Sequence, residues 1–118
     1  MDEQLLNASE TPAWFNYPKD FLRVVDQGLL DFDPWIILQY EQLRVRLNGL
    51  EERYPTRSLV PFARREDNDD VACWEKDRPG VVIIHDFASP GYEDKQAEVN
   101  FWDWLRSALE TTIEYDGE

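Results

Sequence analysis

The sequence predicts a single α+β domain, a mainly antiparallel sheet of about four to six strands flanked by three main helices. Three observations carry this. The 118 residues match the length of one domain. Apolar residues recur at helical spacing toward both ends of the chain, and between them the period shortens to that of extended backbone. The 42% hydrophobic content falls in clusters, enough for one core despite a net charge of -13.

Residues 1–16 are polar up to Trp14 and Phe15, which cover an edge of the core or staple the entry to the next helix. They are read as a partly ordered extension, ahead of a domain over 17–113 and an acidic tail over 114–118 that should fray. The first helix is expected over 18–27, with Asn16 as N-cap, Pro18 in an early position, Phe21, Leu22, Val25 and Leu29 on one face, and Gly28 as a left-handed C-cap. The run DPWIILQY has the length and composition of a buried strand. Tyr40, Leu43, Leu47, Leu50 and Tyr54 then step at helical spacing, and Pro55 stops that helix.

Extended chain follows. LVPFA, over 59–63, is a short strand whose Pro61 cannot donate to a ladder and so belongs at an edge or strand start. VACWEK, over 71–76, and VVIIHDF, over 81–87, are two more strands joined by a tight turn at Asp77, Arg78, Pro79 and Gly80. The unbroken Val81, Val82, Ile83, Ile84 implies a strand covered on both faces. ASPGYED, over 88–94, reads as a loop punctuated by Pro90 and Gly91. A final helix is expected over 98–110, with Val99, Phe101, Trp102, Leu105, Ala108 and Leu109 on its apolar face and Trp104 partly beside it.

With 12 basic and 25 acidic residues, the chain is poorly suited to bind nucleic acid or anionic lipid, because both require cations that displace counterions. A macromolecular partner is expected to be basic. One cysteine allows no internal disulfide and no thiolate zinc site. The opening MDEQLLNASETPAWF has no basic flank and no long apolar run, so no secretory leader is expected. No apolar run approaches the roughly 20 residues of a membrane span, and the expected location is the cytoplasm.

The order of several landmarks resembles the SUKH superfamily, the Smi/Knr-type domain. YPKDFLRVVDQG is similar to its opening helix, WIILQYEQL to its tryptophan-led strand running into the second helix, LVPFARREDNDDVACW to its proline-phenylalanine strand, polar loop and next strand, and GVVIIHDF to the strand after that. The similarity covers roughly residues 17–110. Many members have glycines in the loop where this chain has Glu66, Asp67, Asn68, Asp69 and Asp70. Aspartate and asparagine tolerate the left-handed backbone that glycine would supply, at some cost. The resemblance implies an α+β fold and, for bacterial members, an immunity protein that binds and neutralises a toxin, often a nuclease. Other members regulate or scaffold. It implies no shared catalytic motif.

Three groups of residues are candidates for chemistry. Cys73 and His85 lie on neighbouring strands, so a thiolate and its base can be imagined facing one another with Asp70 or Asp86 orienting the imidazole. The alternative is a packed, inert cysteine, which is the commoner state. Asp67, Asp69 and Asp70 offer hard oxygens, but REDNDDVACWEK lacks the alternating ligands, central glycine and final glutamate of a calcium loop, and turn chemistry explains the same residues. His85 is read as a hydrogen-bonded structural residue.

No metal and no cofactor is therefore expected, and no catalytic residue is assigned. A partner-binding surface is expected instead, drawn from Asp67, Asp69, Asp70, Trp74, Asp86, Glu93, Asp94 and Trp104. Trp74 and Trp104 lie on the more polar sides of their elements, where an indole ringed by carboxylates would suit a basic partner. The function expected is toxin neutralisation by binding; the alternatives are a regulatory or scaffold module and a small enzyme built on Cys73 and His85.

Overall fold

The computed structural model describes residues 3–88 and 91–116. The chain is α+β: helix α1 (Lys19–Asp26), strands β1 (Asp31–Phe32) and β2 (Trp35–Ile37), helix α2 (Tyr40–Arg53), strands β3 (Leu59–Arg65), β4 (Asp70–Glu75), β5 (Val81–His85) and β6 (Asp94–Glu98), and helix α3 (Phe101–Asp116). The six strands form one sheet in chain order with every neighbouring pair antiparallel. Short connections favour this order, because consecutive antiparallel strands need no crossover.

Helix α1 begins one residue after Pro18, which occupies the N-cap position; Asn16 is not the cap. The helix ends where expected. Gly28, at φ 75°, donates to the Val25 carbonyl, and Leu29 donates to that of Val24. These are the two bonds of a Schellman motif. The buried residues of α1 are Phe21, Val24 and Val25, whereas Leu22 and Leu29 are exposed, because the left-handed turn at Gly28 rotates Leu29 out of the helical stripe.

Strand β3 runs between β2 and β4, so Pro61 is not on an edge strand. The local environment still satisfies its constraint. Strand β2 pairs only with Ala63, Arg64 and Arg65, leaving Pro61 with β4 alone, and the register shifts between Pro61 and Ala63. A missing N–H is tolerated at such an irregularity. Strand β5 has neighbours on both sides and both its faces covered, as its unbroken apolar run requires.

Two expectations fail at the C-terminal end. Residues 94–98, DKQAE, form a strand with little intrinsic β-propensity, held by pairing with β5. Helix α3 starts later and runs further than expected, through Asp116, so 114–116 are helical. Its start is set by Asn100, whose Oδ1 accepts the Asp103 backbone N–H at 2.8 Å. The expected loop residue Pro90 lies outside the described residues.

Alternation along β4 and β5 divides the core in two. Ala72, Trp74, Val81 and Ile83 face α1, α3 and the N-terminal segment, whose Leu6 and Phe15 are buried. There Phe62 stacks on Trp74 with centroids 4.4 Å apart, and Phe21, Phe101 and Trp104 meet the pair edge-on or stacked on one another. Val71, Cys73, Val82 and Ile84 face the other way, against Leu50 and Tyr54 at the C-terminal end of α2.

The β4–β5 turn places Gly80 at φ 78°, where an added Cβ would overlap the backbone carbonyl oxygens of Glu98 and Val99. Gly28 also has positive φ, but an added Cβ there meets open space. Gly28→Ala should therefore cost about 1 kcal/mol for backbone conformation alone. Gly80→Ala should cost at least about twice that, with the excess coming from displaced backbone at the end of β6. Chemical denaturation of the two variants side by side measures the difference.

Candidate functional site

The second sheet face is closed by charge. Just beyond β5, Asp86 is fully buried and sits beneath α2. Its carboxylate accepts from Arg46 Nη1 at 2.7 Å, Arg53 Nε at 2.7 Å, Arg53 Nη2 at 2.6 Å and the Phe87 backbone N–H at 2.9 Å. Arg46 and Arg53 lie seven residues apart, two helical turns, which puts both on the α2 face above Asp86. Burial alone would raise the Asp86 pKa, but the bonds from Arg53 and then Arg46 outweigh it and hold the carboxyl below its ordinary value. A little further on, Arg57 binds Glu75 at 2.7 Å, Glu93 at 2.9 Å and Asp94 at 2.9 Å. The segment from 86 to 94 is thus fastened at both ends by arginines from α2 and the turn after it.

A mid-helix glycine serves this arrangement. At Gly49 an added Cβ would lie 2.6 Å from Arg53 Nη2. The guanidinium folds back over the bare backbone to reach Asp86, and continues over the ring of Phe87, 4.0 Å from its centroid. Phe87 itself has φ 66° and is 61% exposed. A bulky residue in the left-handed region is strained, as is Tyr40 at φ 52°, and strain of this kind clusters at binding and switch sites.

Phe87, Val45, Leu38, Arg46, Arg53 and Arg64 line a groove of about 720 Å³. It follows α2 from Glu41 to Arg53, about 18 Å at 1.5 Å per residue. Val45 and Phe87 offer exposed apolar surface. Next to the groove is the β3–β4 loop. Asn68 Oδ1 accepts the Asp70 N–H at 2.8 Å, the expected turn chemistry, and the Asp69 carbonyl accepts the Asp86 N–H at 2.9 Å. Through that bond the acidic loop and the Phe87 turn are held together.

The expected surface residues separate into two groups. Asp67, Asp69 and Asp94 are exposed, and Asp67 pairs with Arg65 at 2.8 Å, which lowers its pKa. Asp70, Asp86 and Glu93 are buried and committed to internal partners. Asp70 holds His85 Nδ1 at 2.9 Å and Lys95 at 2.7 Å. Trp74 and Trp104 are buried in the aromatic core, so neither can present an indole to a partner. Trp74 shares with Ala72 the strand face that meets α1 and α3, and Trp104 falls on the buried stripe of α3 with Phe101 and Ala108. Trp104 also lines a cavity of about 150 Å³ with Arg65, Asp70 and Lys95.

Cys73 and His85 do not face one another. Cys73 packs with Val71 and Val82 on the α2 side, while His85, paired in register with Asp70, is on the other. Burial pushes the Cys73 thiol far above its ordinary pKa, the reverse of what a nucleophile requires. Among the described residues, no group of three histidine, cysteine or carboxylate side chains is placed to hold a metal ion. Sequence reasoning missed Val45, Arg64 and Phe87. The available signal was Phe87 itself, an apolar residue after the polar His85 and Asp86 and before a loop.

Because the folded pKa of Asp86 lies below its unfolded value, its contribution is complete above the ordinary carboxylate pKa and is lost as pH falls through the folded value. Stability should therefore fall steeply below about pH 4, with a shallower acid slope in Asp86→Asn. Arg53→Met should cost about 3 kcal/mol, the low end for breaking a buried pair because Arg46 remains. Urea titrations across pH measure both effects.

Comparison with protein-family models, curated proteins and solved structures finds no match to the chain.

Proposed function

We propose that this chain is a cytoplasmic protein-binding domain of the immunity type, which neutralises a basic toxin domain by covering its working surface. The observation that carries the reading is Phe87: an exposed aromatic side chain in strained backbone, braced from behind by a buried carboxylate and two arginines. Maintaining such an arrangement costs about 1–3 kcal/mol for the backbone alone, and at this turn the cost coincides with an exposed ring and a buried ion pair behind it. An aromatic anchor flanked by near-neutral contacts is how most binding energy is concentrated.

Charge supplies the rest. The chain carries 25 acidic against 12 basic residues, and with Arg44, Arg46, Arg53, Arg57 and Arg65 each paired to carboxylates of the chain itself, the charge left over is negative. The exposed Asp67 and Asp69 beside the groove would steer a basic partner, raising the association rate and disfavouring acidic competitors. Phe87 and Val45 would then lose water against it and slow its release. Toxin neutralisation in particular rests on the SUKH resemblance.

Affinity capture from the source cell, run in parallel with wild type, Phe87→Ser and an Asp67→Asn, Asp69→Asn double variant, tests the reading. A basic toxin domain retained by wild type should bind Phe87→Ser at least about tenfold more weakly, mainly through faster release. The aspartate variant should associate more slowly and show a weaker salt dependence. An acidic partner, or affinity indifferent to all three positions, contradicts the proposal.

A further inference from the structure

The structure presents a second apolar surface, away from the Phe87 groove. Trp102, expected in the core, is 38% exposed on α3, two residues from the buried Trp104. Val99 precedes the helix at 78% exposure, and Leu109 and Ile113 follow at 44% and 70%. The helical positions recur at steps of three and four residues: Trp102, Arg106, Leu109, Ile113. At 100° per residue these fall on one stripe, distinct from the buried stripe of Phe101, Trp104, Leu105 and Ala108. A helix that only roofs a sheet needs one apolar face, and α3 has two.

The borders of the stripe differ. On one side α3 runs into the body of the domain, where Leu105 is buried and Thr112 Oγ1 bonds the Phe32 carbonyl. On the other side stand Asp103, Glu110 and Glu114, and the only cation within the stripe, Arg106, is paired with Asp103 at 3.0 Å. The surface is therefore apolar along its length and acidic along its open edge. Two copies meeting there would bring together two rows of carboxylates on chains of net charge -13, and an anionic lipid surface would be repelled in the same way. The stripe runs about 17 Å along α3 from Trp102 to Ile113, a shape that a second helix packed alongside can follow.

We propose that the stripe of Trp102, Leu109 and Ile113 docks an amphipathic helix of a partner protein whose apolar seam is bordered by lysine or arginine. The seam would bury the three apolar side chains, and the cations would meet Glu110 and Glu114 at the open edge. This contact is independent of the Phe87 groove, so the domain can hold a partner at two places or join two partners.

The test is an NMR titration of the labelled full chain with a designed Leu/Lys amphipathic peptide of about four helical turns, alongside its Leu/Glu counterpart. The Leu/Lys peptide should shift the backbone amides of 99–114 and the Trp102 indole N–H, and the Leu/Glu peptide should shift neither. Because the targeted side chains are exposed, a Trp102→Ser, Leu109→Ser, Ile113→Ser variant should keep its circular dichroism and bind the Leu/Lys peptide at least about tenfold more weakly. Phe87→Ser should bind it as wild type does, which separates this proposal from the groove. Equal binding by wild type and the α3 variant, shifts centred on Phe87, no binding, or a concentration-dependent dimer abolished by the α3 substitutions would each overturn it.

Discussion

The ion pairing of Asp86 with Arg46 and Arg53 is the constraint around which the second half of the molecule is arranged. One sheet face is closed by ordinary means, with two helices and a cluster of aromatic rings. On the other, Val71, Cys73, Val82 and Ile84 pack against Leu50 and Tyr54 at the end of α2 and Leu59 of β3. The arginines of α2 add the ion pairs that tie Asp86 to that helix. A buried carboxylate is expensive unless every lone pair is engaged, and here four hydrogen bonds engage it. An apolar residue in its place would fill the space, but it would not draw the α2 arginines inward or fix the turn that follows.

Consequences spread from this point. Gly49 interrupts α2 at the expense of helix propensity, about 1 kcal/mol relative to alanine, and the open backbone lets Arg53 lie against the helix. Phe87 is carried into the left-handed region by the residue before it and left facing solvent over the Arg53 guanidinium. The bond from the Asp86 N–H to the Asp69 carbonyl ties the acidic loop to the same turn. Fold and candidate site thus share one set of interactions. The arginines that shape the site also close the core, and a geometry held in this way would lower the entropy lost when a partner binds.

Periodicity made the helices, β4, β5 and the central place of β5 legible in the sequence, because each buries a continuous stripe or run. The strands β1 and β6 were not legible. Asp31–Phe32 and Asp94–Glu98 carry no β-pattern and owe their conformation to a neighbour already in place. The candidate site was half legible. Exposure of Asp67, Asp69 and Asp94 follows from their positions in loops and at a strand end, but the inward turn of Asp70, Asp86 and Glu93 depends on arginines and a lysine elsewhere in the chain, a long-range fact without a local signature. The two indoles of α3 show how narrow the margin is. Trp102 and Trp104 differ by 200° around the helix axis at 100° per residue, so an error in phase exchanges core for surface.

The central claim is that the buried ion pair holds Phe87 and the acidic loop in a prepared geometry. Amide hydrogen exchange, compared between wild type and Asp86→Asn under native conditions, tests this most directly. The account predicts faster exchange concentrated at Asp86, Phe87 and the C-terminal turn of α2, with the β4–β5 ladder still protected. Unchanged protection at Asp86 and Phe87, or a uniform loss throughout the sheet, would contradict it.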